Sequence, residues 1–140
     1  MTPVDINYLA VLVVAVVHFA LGALWYSPVL FATPWMSVIG KTREQIEAEV
    51  RGDRMIQSYG FTFVAYLVMA YILSHIVDYT AADSIWTGAL SGFWMWLGFV
   101  ATTILTVDLF ENRGWKHYLI HVGYHLVGIV IMGAILAVWS

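Results

Sequence analysis

The chain has 140 residues, of which 61% are hydrophobic and only 11% charged, where soluble domains carry roughly a quarter. Its formal charge of -3 argues against nucleic acid as a partner, since nucleic-acid binders present basic patches. The absence of cysteine excludes disulfides, thiolate metal sites and iron–sulfur clusters held by Cys, and leaves the compartment open.

In chain order, residues 1–8 carry a single charged side chain, Asp5. A cleavable secretory signal opens with positive side chains, so the first apolar segment is expected to stay in the protein. Thr2-Pro3-Val4-Asp5 reads as a helix start, with Thr2 as cap, Pro3 in the first turn and Asp5 reaching back. Four apolar stretches then follow, at about 6–26, 59–77, 84–107 and 117–139. Each is close to the roughly 20 residues that a helix needs to cross about 30 Å of hydrocarbon. With so much of the chain in the bilayer there is no room for a soluble domain. The expected fold is all-α: one transmembrane domain, 1–140, built as a four-helix bundle.

The six Lys and Arg side chains divide unevenly. Lys41, Arg43, Arg51 and Arg54 lie in the first connection, Arg113 and Lys116 in the third, and none in the second connection or either tail. Cytoplasmic loops accumulate Lys and Arg. The expected topology is a multi-pass membrane protein with loop 28–57 inside and both termini outside. Trp25, Tyr26, Trp35, Tyr59, Trp115 and Tyr118 would form the inner aromatic belt, with Tyr8, Tyr79, Trp86 and Trp139 at the outer interface. Trp94 and Trp96 fall inside the third span and are expected to pack or to touch lipid.

Pro28 and Pro34 punctuate the start of the first connection, where a proline restrains the residue before it. Thr42-Arg43-Glu44-Gln45 has the capping-box pattern, and Ile46 and Val50 share a face. The pattern predicts a short amphipathic helix on the cytoplasmic surface, with Asp53 capping the second span and Asp83 the third. Ser84, Gly88 and Gly92 recur every four residues, as do Gly133 and Ala137. Such ridges let membrane helices approach closely, within one chain or between copies of a homo-oligomer. Matches such as Leu30-Phe31 with Leu109-Phe110 suggest that the two halves are a parallel repeat.

Histidine carries the functional expectation. His117, His121 and His125 follow each other at i, i+4 and i+8, a stripe along one helix face. Counted from Trp25 and Trp115 at 1.5 Å per residue, His18 lies roughly 10 Å deep, His121 roughly 9 Å and His125 about 15 Å. His18 and His121 are therefore expected to meet if the first and fourth spans are neighbours. Intramembrane ionisable groups face the bundle interior and mark pathways or sites. Imidazoles can ligate a divalent metal or haem iron, exchange protons near neutral pH, or simply bond Tyr124, Ser and backbone groups between helices. His117, beside Lys116, reads as an interface anchor. Asp108 and Glu111 are at a similar depth and can pair with Arg113 or Lys116, or join His117 around a divalent metal. No nucleophile–base pair, phosphate-binding Gly loop or H-E-x-x-H pattern is present, so no catalytic residue is named.

The segment 18–35, HFALGALWYSPVLFATPW, carries a resemblance. Gly22, Trp25, Tyr26, Ser27, Pro28, Phe31 and Trp35 are similar to the opening signature of the membrane family catalogued as domain of unknown function 1761. The four-span layout agrees with it, and the resemblance implies a bacterial multi-pass protein with no assigned activity. Physically, Pro28 disfavours helix at Ser27 and makes a turn that directs the loop back along the bilayer. The functional expectation is a small binding or transport module with a polar interior lined by His18, His121 and His125. The alternatives are a non-catalytic assembly partner of another membrane protein, or a haem- or metal-binding membrane protein.

Overall fold

The computed structural model describes residues 5–27, 30–42, 44–45 and 53–139, with the backbone alone at Val38 and 53–55. Among the described residues the helices are α1 (Tyr8–Trp25), α2 (Ala32–Ile39), α3 (Asp53–Tyr79), α4 (Ile85–Glu111) and α5 (Gly114–Trp139), and Glu44 and Gln45 are helical too. Among the described residues there is no strand. All but α2 have stretches long and apolar enough to cross a membrane, so the protein is an all-α, four-helix membrane bundle. α1 is shorter than expected at both ends, α3 starts six residues early and ends two late, α4 starts one residue late and runs on by four, and α5 starts three residues early.

Helix starts are set by local chemistry, and two of them differ from expectation. Asn7 caps α1, its Oδ1 accepting the Ala10 N–H at 3.1 Å; Thr2 and Pro3 lie outside the described residues. Ser84, not Asp83, caps α4, in a reciprocal box with Thr87. A neutral hydroxyl pair satisfies both free N–H groups there without bringing charge to the membrane edge. The box at Thr42 and Gln45 forms as expected, with Thr42 N–H donating to Gln45 Oε1 at 2.9 Å and Gln45 N–H to Thr42 Oγ1 at 3.2 Å. The amphipathic helix expected beyond it, and Asp53 as a side-chain cap, fall outside what is described. Helix α2 was not expected: Pro34 sits at the third position of its first turn, where a missing N–H breaks no helical bond.

Helix α5 is the hub, packing against α1, α2, α3 and α4. Half of its apolar window is buried, against 11% for α4. The α4–α5 contact is made by glycine. A Cβ on Gly88 would collide with the Gly133 carbonyl and stand 2.5 Å from the Ala137 Cβ, and one on Gly92 would stand 2.5 Å from the Ile129 carbonyl oxygen. The two small-residue ridges therefore face each other within one chain, and Ser84 serves as a cap. The α1–α3 pair is built differently, from Phe19 set edge-on to Tyr59 and Phe63. The halves thus differ in packing, and the first alone carries α2 where α4 and α5 are joined through Asn112 and Arg113.

Two features of α4 position the site. Over Trp96–Ala101 the helix opens into a π turn, and Tyr118 Oη donates to the Ala101 carbonyl at 2.9 Å. At its end Asn112 takes the left-handed conformation (φ 57°), which Asn tolerates better than most residues, and α5 starts two residues on. At the opposite end of the bundle Asn7 Nδ2 donates to the Trp139 carbonyl at 2.8 Å. The start of α1 and the end of α5 therefore share one end, called here the terminal end, and the exposed Lys41, Arg113 and Lys116 mark the cationic end.

Candidate functional site

The site lies between α1, α3 and α5, in the half of the bundle nearer the cationic end. His18 is wholly buried, and its Nε2 stands 3.3 Å from His125 Nδ1. Tyr124 stacks on the His18 ring with centroids 4.7 Å apart and donates its hydroxyl to the His18 carbonyl at 2.6 Å. Tyr66 of α3 meets the same ring edge-on at 4.5 Å. Two glycines make room for these rings. A Cβ on Gly128 would collide with His18, and one on Gly22 would lie 2.8 Å from the Tyr124 hydroxyl.

The expected encounter of His18 with His121 does not occur; His18 meets His125. The Trp anchors are the reason. Trp25 turns inward and donates its indole N–H to the Ile120 carbonyl at 2.9 Å, so its level on α5 is Ile120. Trp115 stays exposed a full turn nearer the cationic end. His121 bonds instead to Tyr26, with Nδ1 and the phenol oxygen 2.9 Å apart. The phenol can donate to Nδ1 or accept from it, which places the His121 proton on Nε2 or on Nδ1 respectively.

His117 is not an interface anchor. It is buried, and its Nδ1 lies 2.8 Å from Asp108 Oδ2, itself buried. Of the carboxylates expected to pair with cations, Glu111 does so, with Arg113 at 2.7 Å, while Asp108 takes the imidazole. From His117 the rings continue to His121 at 6.1 Å and from His121 to His125 at 5.1 Å between centroids. Asp108, His117, His121, His125 and His18 thus form one line, running from the cationic end towards mid-bundle.

The Trp-Tyr-Ser-Pro segment is a wall of this site. Ser27 Oγ donates to the Leu24 carbonyl at 2.6 Å, and the Phe31 N–H returns to the Trp25 carbonyl at 3.0 Å. The turn seats Phe31 on Trp25 at 4.7 Å and Trp35 edge-on to Tyr26 at 5.2 Å. Pro28 lies outside the described residues. Trp96, as expected, packs inside, donating to the Val122 carbonyl at 3.0 Å, while Trp94 faces outward.

Tautomers follow from the partners. His18 Nδ1 is buried with no hydrogen-bond partner among the described residues and faces Gly128. An orphaned buried N–H is rarer than an orphaned acceptor, so the His18 proton belongs on Nε2, donated to His125 Nδ1. A further proton on this pair must break the 3.3 Å contact or set an N–H against Gly128. The pair is the far end of the line.

Beyond it, towards the terminal end, Val14, Leu73, Ile129, Met132 and Leu136 are all buried in one apolar cluster. Past that plug an open pocket of about 630 Å3 is lined by Asp5, Ser74, Asp78 and Asp83 among others. A haem does not fit between His18 and His125. A metal between two imidazole nitrogens needs about 2 Å to each, more than their separation provides, and Tyr66 and Tyr124 cover the His18 ring. Among the described residues no group of three or more His, Asp and Glu is arranged to hold a metal ion.

Sequence reasoning found His18, His121 and His125, placed Tyr26 in the turn motif and raised Asp108 with His117 only as a metal cluster, and it did not single out Tyr66. The signal for the Asp108 pair was a carboxylate at the end of an apolar span, where it needs a buried partner.

Fold and site together define a small four-helix membrane protein with a core of imidazoles and phenols. The chain belongs to the protein family of unknown function DUF1761, whose model matches residues 9–137. No curated protein and no solved structure matches it.

Proposed function

We propose that the protein is a membrane-embedded binding or transport module whose polar interior, lined by His18, His121 and His125, exchanges protons or holds a small polar solute. The observation that carries this reading is the continuous line of side chains from Asp108 to His18, each within ring-contact or hydrogen-bonding reach of the next. Imidazole is the side chain whose charge changes nearest neutral pH, and intramembrane ionisable groups are otherwise too costly to keep. The apolar plug beyond His18 favours exchange at a site over continuous flow.

The test is reconstitution. Proteoliposomes carrying His121→Ala or His125→Ala are expected to lose pH-driven proton uptake, or flux of a polar solute, that the parent protein shows. Unchanged movement with a folded variant would sink the reading. An absorption spectrum and elemental analysis of the purified protein settle the haem and metal alternative, for which a Soret band or one bound metal per chain would be required.

The cationic end is assigned to the cytoplasm of a bacterial inner membrane, with both termini outside, because Lys and Arg accumulate on that side. Since the chain lacks cysteine, single Cys variants give clean labelling. Asp83→Cys should react with an impermeant maleimide in intact cells and Arg113→Cys should not; the reverse pattern inverts the topology. A homo-oligomer is also proposed. The small-residue ridges are used within the chain, so a second copy would cover the outer face of α4, and a Trp94→Cys variant should crosslink if it does.

A further inference from the structure

We infer that Asp108 is the port through which the imidazole line is loaded, and that protons reach it from the cationic end only. The inference rests on the module proposed above and adds its direction. Asp108 lies on the wall of a cavity of about 230 Å3 at the cationic end, shared with Leu105, Asn112, Trp115 and Tyr118. The carboxylate is 6% exposed, yet it borders that cavity on one side and holds His117 on the other. No other acidic side chain among the described residues is buried.

The opposite approach is closed. Ser74 follows Tyr66 by eight residues along α3, about 12 Å of helix, a stretch filled by the plug of Val14, Leu73 and Met132. Protons do not cross such a dry apolar layer, because nothing in it can accept them. The groups facing the line are His18 from α1, Tyr26 beyond its end, Tyr66 from α3, Asp108 from α4 and Tyr124 on α5. The nearby cations Arg113 and Lys116 are exposed, and Arg113 is paired with Glu111.

The proton balance is simple. At rest His117 donates Nδ1–H to the Asp108 carboxylate, and the pair carries one negative charge. Taking one proton from water in the cavity makes it imidazolium and carboxylate. Passing one proton on to His121 Nε2, which is open when His121 donates its Nδ1–H to Tyr26, leaves His121 cationic and restores the pair. Asp108 holds the His117 ring in place, with Nδ1 turned to the carboxylate.

The experiment uses the whole protein in lipid nanodiscs, where both faces meet solvent, with proton uptake followed after a pH jump by indicator dye and Trp fluorescence. Asn112→Cys labelled with a bulky maleimide blocks the cavity and is expected to slow uptake by about a hundredfold, the low end for removing a positioned proton-transfer group. Asp108→Asn should slow it similarly while leaving the amount taken up by His121 and His125 unchanged. Asp83→Cys carrying the same label at the terminal end should have no effect. Slowing by the Asp83 label, or none by the Asn112 label, overturns the one-sided port and leaves the module intact. A parent protein that takes up no protons on these histidines overturns both. Unlabelled Asn112→Cys serves as the control for folding.

Discussion

At the scale of single residues, the site depends on glycines that have no side chain to offer. Gly128→Ala would push a methyl into the His18 ring. Overpacking of this kind costs about 1–3 kcal/mol, so a lower thermal midpoint in detergent is expected, together with loss of the His18–His125 contact in imidazole NMR shifts. Gly123→Ala is the matched control, since its Cβ would stand at an ordinary 3.4 Å from Trp25, and it should unfold as the parent does. Trp25→Phe removes one interhelical hydrogen bond and should cost about 0.6 kcal/mol, the average for such bonds in a membrane. The histidines were legible from sequence because charge is rare in apolar spans. Their pairing was not: depth counted from Trp residues assumes that all of them sit at the interface, and Trp25 is docked on a carbonyl instead.

Among the elements, α4 carries the least obvious geometry. Asp108 follows Gly92 by sixteen residues, which in a regular helix turns it about 160° away from the glycine face. Both nevertheless face α5, because the π turn at Trp96–Ala101 absorbs one residue and turns the remainder back by about 100°. Deleting Gly98, whose Cβ position is open, should therefore convert the segment to regular helix and keep Asp108 on His117. Deleting Leu105, beyond the π turn, should swing Asp108 towards lipid. Proton uptake in nanodiscs and thermal stability distinguish the two variants, and equal behaviour would contradict the register argument. Four apolar stretches were readable at once from length and composition. The π turn was not, because it leaves no mark on hydropathy, and α2 was hidden by Pro34, which reads as a stop although a first helical turn accepts it.

For the whole molecule, interior polarity is divided along the bundle axis: the imidazoles and phenols around His18 in one half, hydrocarbon in the other, and carboxylates at the far mouth. The charge asymmetry of the loops, visible in the sequence, marks one end of the bundle but says nothing of the interior. The hydrogen bond from Asn7 to the Trp139 carbonyl has a practical corollary. Where the first and last helices of a bundle end side by side, the order of the chain is separable from the order of the fold. A circular permutant linked across that junction and opened between α2 and α3 should assemble the same four spans with its new ends beside the lysines and arginines. If its imidazole NMR shifts match those of the parent, the site owes nothing to the direction in which the polypeptide is threaded.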